Sequence, residues 1–372
     1  MRTVAVDGSP ERVAELARAL AAALDGGPVA VPLGPATAPP PAEPPPGTAV
    51  VVATSGSSGG PKSVALGAAA LRASAEATAA RLGGSAHWLL ALPAEHVAGV
   101  QVIVRALLAG APPQVQDLRG GFRPDDFAVA TARLGPGPRH TSLVPTQLLR
   151  LLEDGGAGLD ALRGYRAVLV GGAALDAGLR ARALDAGVRV VTTYGMSETA
   201  GGCVYDGVPL DGVTAELDDG GRILLGGPTL ATGYVGRPEE TAAAFAGGRF
   251  RTGDLGAWDG GRLVVLGRAD DVIVTGGEKV PPAAVERVLA AQPGVLAACV
   301  VGVPDPEWGQ VVGAAVVVAG EPDAAAWRAA VRAELGRAAV PRRVVTVAAL
   351  PVRGIGKPDR AAVAALLTGH DG

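Results

Sequence analysis

The sequence is poor in cysteine, in aromatic residues and in net charge, and each scarcity excludes a class of protein. Its 372 residues include 2 Cys, Cys203 and Cys299, too few for a disulfide framework or a thiolate metal site. The 33 Lys and Arg residues nearly balance the 36 Asp and Glu residues, so we expect no capture of nucleic acid by charge. With 4 Trp, 4 Tyr and 4 Phe, the core must consist mainly of aliphatic side chains.

Long apolar runs and dinucleotide fingerprints are also missing. No uninterrupted apolar stretch approaches the ~18 residues that suggest a membrane-spanning helix. Asp7 follows the start of the chain before the apolar region of a signal peptide could develop, so we predict a cytoplasmic protein without membrane insertion. The sequence contains no G-x-G-x-x-G, which excludes the simplest dinucleotide-binding fold.

What the sequence has in abundance is glycine and proline, with 55 Gly and 30 Pro, which indicates many tight turns. We predict that residues 1–48 form one helix and a proline-rich connection. From residue 49 onward, short β-branched runs alternate with helical patterns, which include residues 65–82 and 97–109. After Gly201 and up to residue 267, the pattern changes to hairpins around Asp219-Gly220-Gly221 and Asp259-Gly260-Gly261. This pattern predicts an α/β domain of mixed, mainly parallel sheets covered by helices, with a β-hairpin subdomain. We place a domain boundary near Asp270 and predict that residues 268–372 form a small, mobile α+β domain.

The most informative segment follows the first predicted buried strand and runs from Thr54 to Lys62. Hydroxyl groups, flexible glycines and one lysine are what a polyphosphate-binding loop requires, although a Ser/Gly linker has a similar composition. Pro61 excludes a Walker A loop, because proline has no N–H and occupies the position that needs glycine. The segment also matches the G-x-S-x-G of serine hydrolases, but the only histidine near the C-terminus is His370, third from the end.

Four further motifs follow the loop in order. They are Tyr194-Gly-Met-Ser-Glu-Thr199, Arg251-Thr-Gly-Asp-Leu-Gly256, the segment from Gly267 to Gly277, and Gly354-Ile-Gly-Lys357. Together with the loop, they resemble the core motifs of the acyl-adenylate-forming superfamily, which includes acyl-CoA synthetases, peptide synthetase adenylation domains and luciferases. The likeness extends from about residue 49 to residue 360.

The resemblance implies a ligase that uses ATP, Mg²⁺ and coenzyme A to activate a small carboxylic acid. It implies catalytic roles for Lys357, His96 and Arg268, with Asp270 as the hinge of the small domain. It implies that Glu198 binds the metal and that Gly276 and Gly277 border the coenzyme A tunnel. The ATP-binding residues that it implies are Thr54, Ser55, Gly56, Ser57, Ser58, Gly59, Lys62, Gly172, Ala173, Tyr194, Gly195, Ser197, Asp254 and Arg268.

The acid is predicted from the segment after the second predicted strand. His96, Arg105, Ser142, Gly171 and Ser197 are the candidate acid-binding residues. Arg105 lies in an apolar helix, where it could extend to water or could bind a second carboxylate of the acid. The pattern is most similar to CoA ligases for an aromatic acid with two carboxylates.

Three alternatives stay open at this point. The enzyme could act on another aryl or acyl acid, it could load a carrier protein, or the motifs could serve a nucleotide sensor without turnover. The chain has on the order of a hundred residues fewer before the loop than most of the superfamily, which leaves a sheet edge that a homodimer could cover.

Overall fold

The computed structural model describes residues 1–54, 61–353 and 357–368, with the backbone alone at 352, 353 and 357. The first part of the chain contains β1 (Arg2–Ala5), α1 (Pro10–Leu24), β2 (Ala30–Leu33), β3 (Thr48–Thr54), β4 (Lys62–Gly67), α2 (Ala68–Arg81), β5 (His87–Leu90), α3 (Val97–Leu108), β6 (Gln114–Val115) and α4 (Pro124–Ala132).

The middle part contains β7 (Arg139–Leu143), α5 (Pro145–Asp154), α6 (Ala157–Arg163), β8 (Ala167–Val170), α7 (Ala177–Asp185), β9 (Val190–Met196), a 3₁₀ turn (Ser197–Thr199), β10 (Gly201–Tyr205), β11 (Val208–Pro209), β12 (Thr214–Leu217), β13 (Arg222–Gly226), β14 (Gly233–Tyr234) and α8 (Pro238–Ala244). The last part contains β15 (Phe245–Ala246), β16 (Arg249–Asp259), β17 (Arg262–Arg268), a second 3₁₀ turn (Ala269–Asp271), β18 (Ile273–Thr275), β19 (Glu278–Val280), α9 (Pro282–Ala290), β20 (Val295–Asp305), β21 (Gly309–Val318), α10 (Ala324–Leu335), β22 (Arg343–Thr346), β23 (Val352–Arg353), β24 (Lys357–Pro358) and α11 (Arg360–Thr368).

Residues 1–48 contribute more than the predicted helix and connection. They supply β1 and β2 to a five-stranded sheet in the order β1-β2-β3-β4-β14, with β1, β2 and β3 parallel. Pro32 is tolerated in β2 because β2 pairs with β3 only at Ala30. The missing N–H of Pro32 therefore interrupts no hydrogen-bond ladder between β2 and β3. Residues 34–47, the rest of the proline-rich run, form neither helix nor strand.

A seven-stranded sheet in the order β11-β10-β9-β8-β7-β5-β6 forms the centre of the large part of the chain. The strands from β6 to β9 are parallel, and β10 and β11 are antiparallel. Alternate strand residues belong to different cores, with Leu90 on the side of α1 to α3 and Leu89 on the side of α4 to α7. Helices therefore cover both faces, as expected for parallel strands that are buried on both sides.

The hairpins predicted after residue 201 form a third sheet, in which β12, β13, β16 and β15 are neighbours and β17 pairs with β16. The small C-terminal part has its own sheet in the order β19-β18-β21-β20, with β22 beside β21. Its two apolar cores contain only residues from Ile273 onward, whereas the cores of the large part end at Leu263. The predicted boundary near Asp270 falls between these two sets of cores.

Helix α3 is apolar on almost every side, which suits its position between the seven-stranded sheet and the helices α1 and α2. Gln101 and Arg105 are its only polar side chains, and both are buried. Among the described residues, no helix has the length and apolarity needed to cross a membrane.

Candidate active site

The loop between β3 and β4 is closed at its base. Thr54 and Lys62 are opposite each other in the antiparallel register, and the backbone N–H of Lys62 donates to Thr54 Oγ1 at 3.3 Å. The predicted phosphate-binding residues Ser55, Gly56, Ser57, Ser58 and Gly59 lie outside the described residues. The structure therefore gives the two ends of this loop and the lysine that follows it.

The ammonium group of Lys62 has two described contacts beside the loop. It lies 2.8 Å from a carboxylate oxygen of Glu240 and 4.6 Å from the ring centroid of Tyr234. Hydrogen bonds from Lys62 and Arg237 lower the pKa of Glu240, which keeps this exposed carboxylate ionised. A polyphosphate in the loop would compete with Glu240 for the ammonium group.

Glu198 is linked to the same aromatic ring. It lies in the 3₁₀ turn that follows β9, and its carboxylate accepts a hydrogen bond from Tyr234 Oη at 2.9 Å. Burial and the neighbouring charge of Glu198 raise the pKa of Tyr234 well above its usual range, so the phenol remains a donor. Tyr234 thus contacts both Lys62 and Glu198 and brings two of the predicted motifs together.

A second aromatic residue connects two more motifs. Tyr194 Oη, near the end of β9, donates to Asp254 Oδ2 at 2.8 Å. Burial raises the pKa of Tyr194 well above its usual range, and the charge of Asp254 adds to this effect. Asp254 is opposite Arg268 in the β16–β17 register, with 3.5 Å between the carboxylate and the guanidinium group. Arg268 also lies 3.1 Å from Asp270.

The predicted acid-binding residues follow the carboxyl ends of neighbouring parallel strands. His96 is the half-buried N-cap residue of α3, shortly after β5, and Ser142 lies at the end of β7 and is buried. Gly171 follows β8 directly, and a Cβ there would lie 2.2 Å from Thr193 Oγ1, so the strand approach requires glycine. The crevice outside the carboxyl ends of such strands is the usual ligand site of open α/β sheets.

Gly172, Ala173, Gly195 and Ser197 lie at this same edge, after β8 and at the end of β9. Gly195 has φ +157°, and a Cβ there would lie 2.2 Å from the carbonyl oxygen of Gly201. Only glycine therefore lets β9 and β10 approach closely where the turn with Ser197 begins.

Arg105 is not brought to this edge. It lies nine residues after His96, about 13 Å along α3 and about half a turn around its axis. Its side chain donates to Tyr205 Oη at 3.2 Å and lies 5.3 Å from the Trp88 ring centroid. Because Arg105 is only 7% exposed, the alternative in which it extends to bulk water is wrong. Its role with the acid stays a prediction.

Two residues beside the candidate site belong to none of the predicted motifs. Tyr234 belongs to no predicted motif, and its role emerges only from its contacts with Lys62 and Glu198. Gln101 is fully buried, and neither its amide nitrogen nor its amide oxygen has a hydrogen-bond partner in the part of the chain that the structure describes. Its Cγ lies 3.3 Å from the Cβ position of Gly201, beside the turn that carries Glu198. The sequence signal available for Gln101 was a polar side chain in a helix that is apolar except for Gln101 and Arg105.

The remaining predicted residues lie in the C-terminal part. Gly276 and Gly277 form the turn between β18 and β19, where a Cβ on Gly276 would lie 2.6 Å from the Trp308 ring. Lys357 pairs through its backbone with Arg353, and its side chain lies outside what the structure describes.

The donor set at Glu198 suits Mg²⁺. Within the described ranges, no group of three or more His, Cys, Asp or Glu side chains could hold a metal ion. Mg²⁺ in nucleotide sites takes one or two carboxylates and completes its shell with phosphate oxygens and water. One carboxylate oriented by Tyr234 fits that requirement.

Comparisons with known proteins show the family to which the chain is similar. The family described as AMP-binding enzyme matches residues 2–235, and that of the AMP-binding enzyme C-terminal domain matches residues 284–357. A probable 2-succinylbenzoate–CoA ligase of Mycobacterium tuberculosis is 48% identical over 329 residues, which cover 87% of this chain and 85% of the relative.

Two solved structures are similar along most of the chain. The o-succinylbenzoate CoA synthetase of Bacillus subtilis, in complex with the acyl-adenylate intermediate OSB-AMP, matches with a TM-score of 0.73 and 29% identity. The match covers 85% of this chain and 69% of that one. An amide bond synthetase from Marinactinospora thermotolerans matches with a TM-score of 0.78 and 32% identity, covering 97% of this chain and 84% of that one.

Proposed function

The chain belongs to the AMP-binding enzyme family, and from that premise we propose that it is an ATP-dependent acid–thiol ligase. It adenylates a carboxylic acid and transfers the acyl group to coenzyme A, with 2-succinylbenzoate as the acid. The observation that carries the proposal is that Tyr234 contacts Lys62 with its ring and donates its hydroxyl to Glu198, while Tyr194, four residues before Glu198, donates to Asp254.

Two lines of support select the acid. The relative from Mycobacterium tuberculosis is named for 2-succinylbenzoate, and so is the structure from Bacillus subtilis, at similarity that extends over most of the chain. Gln101, five residues after His96 on α3, brings a buried amide beside Gly201. A polar group inside an apolar helix suits an acid whose far end is also polar.

The nucleotide is proposed to lie across the same edge. Thr54, Lys62 and the loop between them bind the β- and γ-phosphates, where backbone N–H groups and the ammonium group meet anionic oxygens. Gly172, Ala173, Gly195 and the Tyr194 ring frame the adenine, and Asp254 accepts hydrogen bonds from the ribose hydroxyls. Ser197 bonds the α-phosphate, and Arg268 adds positive charge beside Asp254.

The reaction then has two halves. A carboxylate oxygen of the acid attacks the α-phosphorus, the bond to the bridging oxygen breaks, and pyrophosphate leaves with that electron pair. In the second half, the sulfur of coenzyme A attacks the acyl carbon, its proton is lost to solvent, and AMP leaves. Lys357 stabilises the first transition state by bridging the acid carboxylate and the α-phosphate.

The C-terminal part must move between the halves, because the two steps need different groups at one edge. We place the hinge at Asp270 and the coenzyme A tunnel beside Gly276 and Gly277. His96 borders the acyl group and Gly171 forms the floor beneath it.

Glu198 is proposed to hold Mg²⁺ through its carboxylate, with Tyr234 orienting that carboxylate. When bound, Mg²⁺ neutralises charge on the phosphates and makes pyrophosphate a better leaving group.

The proposal is tested by assaying AMP release with a panel of carboxylic acids, with and without coenzyme A. We expect 2-succinylbenzoate to give the highest kcat/KM and AMP release to need coenzyme A for turnover. A panel in which no acid promotes AMP release would contradict the ligase itself.

A second candidate keeps adenylation and changes the acceptor to an amine. The observation in its favour is the amide bond synthetase, whose match covers 97% of this chain at a TM-score of 0.78. Replacing coenzyme A by amines in the same assay distinguishes the two acceptors by product mass. The predicted homodimer and cytoplasmic location stay predictions.

Replacing Asp254 with alanine is expected to raise the KM for ATP about 10–100-fold, the range for losing a hydrogen bond to a charged group. Pyrophosphate exchange measures this KM. Tyr194→Phe removes only the hydroxyl that bonds Asp254, so it should raise the KM for ATP less than Asp254→Ala does. With 2′,3′-dideoxy-ATP, which lacks the ribose hydroxyls, wild type and Asp254→Ala should have nearly equal KM values. A persisting difference between them would contradict contact of Asp254 with the ribose.

For Gln101 we propose contact with the far end of the acid, because its two amide atoms lie beside Gly201 and have no hydrogen-bond partner among the described residues. Gln101→Leu should lower kcat/KM for 2-succinylbenzoate about tenfold, since a hydrogen bond to a carboxylate contributes roughly 1.5–3 kcal/mol. For 4-oxo-4-phenylbutanoate, which lacks the ring carboxylate, kcat/KM should be unchanged.

The stability of the same variant provides the control. An unpartnered buried amide destabilises the fold, so Gln101→Leu should hold or raise the Tm of the free protein. An equal fall in kcat/KM for both acids would assign Gln101 to the packing of the turn instead.

A further inference from the structure

Two adjoining cavities lie at the opposite edge of the seven-stranded sheet, where β5 and β7 begin. The larger is about 360 Å³ and the smaller about 120 Å³, and they share Ser85, Trp88 and Ala109. Nothing in the proposed ligase reaction uses this edge. The smaller cavity is lined by two buried polar side chains, Arg105 and His140.

Arg105 is a buried cation that has no counter-ion in the described ranges of the chain. Throughout the described residues, no carboxylate lies within 4.0 Å of its guanidinium group, and its Nε has no hydrogen-bond partner. Its described contacts are the neutral hydroxyl of Tyr205 and the face of Trp88. A charge removed from water requires pairing, so this guanidinium group is prepared for an anion.

His140 supplies a second unused donor in the same cavity. It is 1% exposed, and its Nε2 has no hydrogen-bond partner among the described residues. Burial lowers the pKa of His140 to about 4, and the charges of Arg166 and Arg105 act in the same direction. The imidazole is therefore neutral at pH 7 and can donate one N–H without adding charge.

The larger cavity supplies apolar surface for the rest of a ligand. Its lining consists mainly of small apolar residues, among them Ala86, Ala106 and Pro112, together with Trp88. A flat apolar body there would contact the indole of Trp88, and its acidic group would point into the smaller cavity. This division into an apolar chamber and a few convergent donors is typical of small-molecule sites.

We propose that the two cavities form a second ligand site for a small aromatic monocarboxylate, with its ring against Trp88 and its carboxylate bound by Arg105 and His140. The site is separate from the adenylation site, because α3 carries Arg105 about 13 Å from His96 and to the other side of the helix. Glu76 also lines the smaller cavity, from the exposed face of α2. It repels a bound carboxylate weakly across solvent.

The test uses the full chain labelled in its histidine rings and benzoate as the probe. The chain has 4 His, so the ring signals of His140 and His96 report separately on the two sites, with His140→Asn giving the assignment. We expect benzoate to shift the His140 signals in a saturable manner and neutral benzamide not to do so. Unmoved His140 signals, with or without a shift at His96, would overturn the proposal.

Variants separate the anion contact from general packing. Arg105→Gln should raise the benzoate dissociation constant at His140 roughly tenfold or more, as expected for loss of a charge-assisted hydrogen bond. Arg133→Gln removes the same charge from an exposed helix end and should leave it unchanged. Glu76→Gln should tighten binding or leave it unchanged, and weaker binding would contradict an anion site.

A further variant covers the case in which Arg105→Gln does not fold. Ala109→Leu narrows both cavities without removing the cation, and it should weaken benzoate binding at His140. Steady-state kinetics test whether the second site is separate from the acid site. If Arg105→Gln raised KM for 2-succinylbenzoate and not for 4-oxo-4-phenylbutanoate, Arg105 would belong to the acid site and the second site would be refuted.

Discussion

Replacing Lys357 with alanine is expected to lower the rate of adenylate formation about 10²–10³-fold, the range for losing one donor to a developing negative charge. The acid carboxylate and the α-phosphate are both anionic, and a single ammonium group between them offsets their repulsion as the new bond forms. Acid-dependent exchange of pyrophosphate into ATP measures this half of the reaction alone.

The second half of the reaction provides the internal control. Thioester formation from a supplied acyl-adenylate should be nearly unchanged in Lys357→Ala, because the proposed movement of the C-terminal part removes the lysine from the site before this step. Arg332→Ala, which removes an exposed cation from the last turn of α10 in the same C-terminal part, should leave both halves unchanged. Equal losses in the two halves would mean that Lys357 supports the structure of the C-terminal part and has no selective role in adenylation.

The second large effect is expected at Glu198. Glu198→Gln should lower kcat/KM for ATP by at least about 10²-fold, since the neutral amide binds Mg²⁺ poorly and the phosphate charge is then less neutralised. The hydrogen bond from Tyr234 still finds an acceptor in the amide oxygen, so the fold of the turn should persist. The measurement is pyrophosphate exchange over a range of Mg²⁺ concentrations, together with Mn²⁺ binding followed by electron paramagnetic resonance.

Tyr234→Phe separates orientation from coordination at the same carboxylate. It leaves Glu198 in place and removes only the donor at 2.9 Å, so the affinity for metal should fall about 10–100-fold, as for other outer partners of metal ligands. Excess Mg²⁺ should restore much of the activity of Tyr234→Phe and little of Glu198→Gln. Equal restoration of both variants would argue that Glu198 does not bind the metal.

The fold could be predicted from the sequence where one local pattern dominated. Helix α3 has the predicted range within one residue, and both glycine-rich hairpins form where Asp-Gly-Gly was found between alternating runs. The predictions failed where a short apolar run fits two structures. Residues 65–67 were predicted to start a helix, and they pair with β3 as the end of β4. Pairing partners that are distant in sequence decide such cases.

In the candidate site, too, the residues in contiguous motifs could be predicted, and those whose roles depend on distant segments could not. Tyr194, Ser197, Glu198 and Asp254 could be found because each motif is a contiguous segment with its own turn chemistry. Tyr234 could not, since its importance depends on the packing of β14 against β4, which brings its ring to Lys62. The prediction paired Arg105 with His96 because both lie on one short segment. Spacing along a helix does not determine which of the two opposite edges of the sheet a side chain reaches.

The sequence by itself determined the family, the order of the motifs and the chemistry that they imply, because those properties depend on residue types at short spacing. Tertiary structure decided that Tyr234 joins Lys62 to Glu198 and that Tyr194 bonds Asp254. It also decided that the amide atoms of Gln101 lack hydrogen-bond partners in the described part of the chain and that Arg105 is a buried cation beside a separate cavity. Burial and hydrogen bonding of these groups depend on elements that are distant in sequence, and only the packed chain brings those elements together.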